Sequence, residues 1–157
     1  GRVDVDRTAE NWVDLALVLG TMHIGFHSMY LARPTGEHHY FTTPLADVAK
    51  IADRIHRDLA SIYRPSRYIS MTSSAGKISL LGTVEVGGEK AFALKFTQGR
   101  NMEWMDGVFL AKYDKQQCSI DKLQPFEGQE FFFRQDQRDI EASLLKALEG
   151  RKFAGDQ

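Results

Sequence analysis

Residues 43–77 read TPLADVAKIADRIHRDLASIYRPSRYISMTSSAGK, and this stretch decides the fold class. Thr43 is an N-cap residue type, and Pro44 suits the first helical position, where its missing N–H costs nothing. Val48, Ile51, Ala52, Ile55, Leu59 and Ile62 then form an apolar stripe at helical spacing. Asp47, Lys50, Asp53, Arg54 and Arg57 cover the other side, as solvent requires. Pro65 stops the helix. Tyr68 to Thr72 reads as a short strand that runs into Ser73-Ser74-Ala75-Gly76-Lys77.

Upstream, Thr8 is a candidate N-cap for a helix that buries Trp12, Leu15, Ala16 and Leu19, with Gly20 as its C′ residue. A strand over about His23 to Ala32 follows, with sizeable side chains on both faces. The order helix, strand, helix, strand is the repeat of a parallel α/β barrel or sheet. Downstream the grain changes. Ile78 to Val86 and Lys90 to Phe96 flank Gly87-Gly88, a hairpin signal. Met102 to Tyr113 fits helix and strand equally. Phe131-Phe132-Phe133 is a short apolar run, and Ile140, Leu144, Leu145 and Leu148 predict a terminal helix.

Composition narrows the function classes. Of 157 residues, 43% are hydrophobic and 26% charged, which argues for a packed domain rather than disorder. Twenty Lys plus Arg against 21 Asp plus Glu give a net charge of −1, so no bulk basic field draws nucleic acid or anionic membrane. No apolar run is long enough for a spanning helix, no signal-peptide pattern opens the chain, and a cytoplasmic setting is expected. Cys118, the single cysteine, permits no internal disulfide, no cysteine-based zinc site and no cysteine-ligated iron–sulfur cluster. The chain begins at Gly1 without an initiator Met, which leads us to expect a piece of something longer.

In parallel α/β architectures, functional groups gather after the C-terminal ends of strands. Two loops hold that position. In the second, Ser73, Ser74 and Gly76 offer backbone N–H groups and hydroxyls for a phosphate, and Lys77 follows as an amine for a carbonyl. The plainer reading makes Lys77 a solvated turn lysine. A nucleotide P-loop is a poor fit, because its first glycine is missing and Ile78 replaces the magnesium-binding Ser/Thr. In the first loop, Arg33 is an anion contact, and the adjacent His38 and His39 suit a substrate loop better than one chelated metal. No metal site is assigned.

Val5-Asp6-Arg7-Thr8, Asn11, Met22-His23-Ile24, Tyr30-Leu31, Gly36, Tyr40-Phe41-Thr42-Thr43-Pro44, Pro65, Tyr68 and Gly76-Lys77 occur in an order that resembles one family. It is the C-terminal portion of the lysine 2,3-aminomutase family of radical S-adenosylmethionine enzymes. The resemblance spans roughly residues 3–82 and is a distributed pattern without a single diagnostic motif. It implies that Lys77 carries pyridoxal phosphate, that Ser73, Ser74 and Gly76 lie on its phosphate side, and that an amino acid is the substrate, met by Arg33, His38 and His39.

Three departures accompany the likeness. The family's glycine run is Ser-Ser-Ala-Gly here. Its substrate-gripping aspartates fall near Ala32 and Met71, which argues against lysine itself as substrate. The CxxxCxxC motif that holds the [4Fe–4S] cluster would lie upstream, with the S-adenosylmethionine it activates. The resemblance thus implies the C-terminal part of a partial (β/α) TIM-like barrel over residues 1–82. A mixed α/β extension, a hairpin plus a helix, would occupy 83–157. A homo-oligomer is compatible with this, and the fragment alone is expected to be inactive. Two other readings stand beside it: a radical enzyme of the same fold without pyridoxal phosphate or aminomutase chemistry, and a non-catalytic binding domain.

Overall fold

The central helix forms where its stripe places it. In the computed structural model, which describes residues 8–33 and 38–154, this helix (α3) spans Leu45–Asp58 and buries Leu45, Val48, Ile51, Ala52 and Ile55. Pro44 stands at the N-cap with extended ψ, so the helix begins one residue later than the spacing suggested. The outer face carries Lys50–Asp47, Arg54–Asp58 and Arg57–Asp53 pairs, all solvent-exposed and so of small energetic weight. Helical geometry ends well before Pro65. Leu59 turns extended and stays buried, and a 3₁₀ turn over Ser61–Tyr63 throws Ile62 outward to 81% exposure. Ile62 leaves the stripe because the 3.6-residue period ends at Asp58.

The first helix (α1) spans Ala9–Thr21 and packs on α3. Thr8 holds its cap position without a side-chain hydrogen bond. Ala16 is buried and Trp12 stacks on Phe26, but Leu15, Leu17 and Val18 stay exposed. Gly20 does not end the helix. It lies inside it against Tyr63, whose ring a Cβ would strike, and His23 at φ 55° makes the left-handed exit instead. Close approach, not termination, is what Gly20 supplies.

The four-stranded sheet is antiparallel, and a parallel contact joins its first strand to the segment upstream. A single helical turn, His38–Phe41 (α2), precedes α3. Beyond α3 come β1 (Ser70–Thr72), β2 (Gly76–Val86), β3 (Glu89–Gly99) and β4 (Val108–Lys112), in the order β1-β2-β3-β4. Every neighbouring pair is antiparallel. One parallel element survives. The extended segment 24–32 meets β1 at Tyr30–Ser70, where Leu31 N–H donates to Ser70 O at 2.9 Å and Ser70 N–H to Met29 O at 3.2 Å. The fold is therefore mixed α/β, with an open antiparallel sheet and three helices longer than one turn among the described residues. Ser73–Gly76 is the turn of a hairpin from β1 to β2. Gly87 and Gly88 both take positive φ, 60° and 86°, as the tight turn between β2 and β3 requires.

The boundary expected at 82/83 falls inside β2, and one core cluster joins both sides of it. Phe96 on β3 is 1% exposed and meets the rings of Trp104, Phe109 and Phe133. The Met102–Tyr113 ambiguity resolves as both states: a 3₁₀ turn over Met102–Met105, then β4. The terminal helix (α4) spans Arg134–Ala154; Ile140 packs against the core, while Leu144, Leu145 and Leu148 are exposed. No helix among the described residues is long and apolar enough to cross a membrane.

Candidate functional site

Residues facing each other across paired strands share one face of the sheet. The register sets Tyr30 beside Ser70, Ser70 opposite Ser79, and Ser79 opposite Lys95. One step along, Thr72 faces Lys77. This face is polar, whereas the alternate residues Met71, Ile78, Leu80 and Phe96 fill the core. Register shifts at Lys77/Ile78 and at Leu80/Gly82 flank Ser79, and such bulges bend and twist strands. The result is an open concavity of about 440 Å³ that includes Arg67, Lys77 and Lys95.

Lys77 is its most chemically defined group. Its Nζ donates to the Tyr30 hydroxyl at 3.2 Å and stands 4.3 Å from the centre of the same ring. The Tyr30 phenol is held below its ordinary value of 10.0, first by the Ser28 hydroxyl and then by the Lys77 ammonium. Ser28 Oγ is buried and makes no bond of normal geometry among the described residues, so the Lys77 contact is the firmer of the two causes.

A phenol whose folded pKa is depressed favours the folded state only as pH rises through its titration range, and adds nothing at neutrality. Lys77→Met should therefore raise the Tyr30 midpoint. The difference in phenolate absorbance between Lys77→Met and a Lys77→Met/Tyr30→Phe double variant isolates that midpoint, with the parent and Tyr30→Phe as the reference pair. An unmoved midpoint would show that the ammonium does not act on Tyr30.

The turn before Lys77 holds an anion, but the anion is the protein's own. Ser74 N–H and Ser74 Oγ both bond Asp121 Oδ1, at 3.0 and 2.9 Å. Ser73 N–H and Ser73 Oγ both donate to Gly76 O at 2.7 Å, and Gly76 N–H donates to Ser73 Oγ at 3.2 Å. The donors of Ser73, Ser74 and Gly76 expected to cradle a phosphate are thus engaged internally. Gly76 has a backbone reason for being glycine: its φ is 147°, and a Cβ would strike the Gln98 carbonyl.

No protein-family model, curated protein or solved structure matches this chain.

Arg33 is exposed and does not line the concavity that holds Lys77. The side chains of His38 and His39, and residues 34–37 of their loop, lie outside the described residues. No group of three or more His, Cys, Asp or Glu side chains is placed to hold a metal ion among the described residues. Tyr30, Ser70, Ser79 and Lys95 join the site through strand register rather than through any local motif, and Arg67 lines the same concavity. A period-two reading of Ser70/Thr72 and of Lys77/Ser79 carries the signal, because both pairs put polar residues on one face.

Proposed function

We propose that this chain is the C-terminal portion of a radical S-adenosylmethionine, pyridoxal-phosphate-dependent enzyme of the aminomutase kind, acting on an amino acid in the cytoplasm. The observation that carries the reading is the Lys77 amine, set beside Tyr30 on an open, hydroxyl-lined concavity. A volume of about 440 Å³ suits a ligand of pyridoxal phosphate's size. The residues present fit that group, since the concavity offers an accessible amine and further cations. When bound, it would supply a conjugated ring that delocalises an unpaired electron or electron pair beside the substrate nitrogen. Lys77 would hold that group through its amine, Tyr30 would orient the Lys77 nitrogen through their hydrogen bond, and Arg67 and Lys95 would supply positive charge.

The partial-barrel arrangement belongs to the same proposal. The segment 24–32 has a sheet partner on one side only among the described residues, at Tyr30–Ser70. Exposed Leu17, Val18, Met22 and Ile24 lie on and beside the helix leading into it. Preceding barrel strands would cover that side and bring the cluster cysteines and S-adenosylmethionine, which one cysteine cannot replace.

Treatment with pyridoxal phosphate and then borohydride should fix the label on Lys77, and Lys77→Met should remove it. Label on another lysine sinks the cofactor assignment. A cluster-forming CxxxCxxC motif in the reading frame ahead of Gly1 supports the enzyme class, and an in-frame stop there overturns it. A reconstituted protein without a pyridoxal absorbance band favours the second reading, a radical enzyme of this fold with another substrate, which Ala32 and Met71 motivate.

A further inference from the structure

The polar face carries cations without counter-charges. Arg67, Lys77 and Lys95 line the same concavity, no carboxylate lines it, and none of the three pairs with one among the described residues. This occurs in a chain whose net charge is −1. Elsewhere the basic side chains are often paired: Arg54, Arg57, Arg100 and Arg138 all meet acids.

Beneath the cations lie two serines. Ser70 and Ser79 are 3% and 2% exposed overall, and both line the concavity. Hydroxyls at such a surface can donate to a bound anion. The register sets Ser79 directly opposite Lys95, with Lys77 two residues along the same strand. Facing residues stand about 5 Å apart, and same-face neighbours about 7 Å, close enough for long side chains to converge. Arg67 lines the same concavity as Lys77 and Lys95.

We propose that this concavity is a phosphate-binding site, in which Arg67 and Lys95 hold the dianion of a phosphate monoester over the Ser70 and Ser79 hydroxyls. A guanidinium gives paired donors to phosphate oxygens, and an ammonium gives a mobile point charge. The site deepens the reading of Lys77 and shares its concavity. It moves the phosphate of a Lys77-bound ligand from the Ser73–Gly76 turn, which Asp121 closes, to the open sheet face.

Calorimetric titration of the chain with inorganic phosphate at low salt tests this without any chemistry at Lys77. Phosphate should bind, and Arg67→Ala and Lys95→Ala should each weaken binding about ten-fold, the scale of one charge-assisted hydrogen bond. Lys77→Met should still bind phosphate, and Ser74→Ala should bind as the parent does. Both Arg67 and Lys95 are at least partly exposed, and circular dichroism verifies that the variants stay folded. No phosphate binding by the parent, undiminished binding in the Arg67→Ala/Lys95→Ala pair, or acetate bound as tightly as phosphate each overturns the proposal. If phosphate binds as expected while the borohydride label maps away from Lys77, the cofactor reading fails and the phosphate site stands. The reverse pattern fails the phosphate site alone.

Discussion

Phe96→Ala should lower the free energy of unfolding by about 3–5 kcal/mol, the range for truncating a fully buried phenylalanine. Phe96 is 1% exposed, and its ring centre lies 5.5 Å from Trp104, 5.5 Å from Phe109 and 4.9 Å from Phe133. Those three rings come from the 3₁₀ turn, from β4 and from the segment before α4, so one truncation loosens the closure of the whole second half. The neighbours cannot collapse into the gap independently. Trp104 is tied by its Nε1–H to Asp136 Oδ2 at 2.9 Å, and Asn101 donates to the same oxygen at 2.7 Å.

With a domain of this size holding only about 5–15 kcal/mol in total, such a loss is visible at once in a denaturant midpoint. A loss under about 1 kcal/mol would mean that the aromatic cluster is not packed as described. The effect matters for the site, because Phe96 sits next to Lys95 and opposite Ile78, the neighbour of Lys77. Stability of the C-terminal half and geometry of the polar face are therefore one problem.

Local signals in the sequence are strong where they depend on one element alone. The stripe of α3 and the Gly87-Gly88 turn were legible because helical period and positive φ are decided by nearest neighbours. The antiparallel turn-back after Thr72 has a non-local cause. Ser73-Ser74-Ala75-Gly76 is compatible with a loop of either kind, and its hairpin form is locked by Asp121, far along the chain. The same applies to the leucines of α4. Leu144, Leu145 and Leu148 keep a helical spacing, yet all three are more than half exposed, and periodicity cannot tell a buried stripe from an uncovered one. For the site, Lys77 was visible as a lone amine after a turn. Tyr30, Arg67 and Lys95 became visible only through the register that sets them on its face.

Gly76→Ala should cost about 3 kcal/mol in stability while leaving phosphate binding at the open face intact. At φ 147° an L side chain is strained, a cost of order 1–3 kcal/mol by itself. The added methyl would also meet the Gln98 carbonyl and Gly99 Cα, which are backbone atoms of the neighbouring strand and cannot swing aside as a side-chain end would. Relief requires β2 and β3 to part at Gly76–Gly99, beside the bulge that positions Lys77. A glycine kept to let a phosphate approach would behave otherwise. Its substitution by alanine would weaken phosphate binding first and leave the denaturation midpoint nearly unchanged. Measuring both quantities on one variant separates the two roles. A stable Gly76→Ala protein that has lost phosphate would return the anion to the turn and remove the case for Arg67 and Lys95.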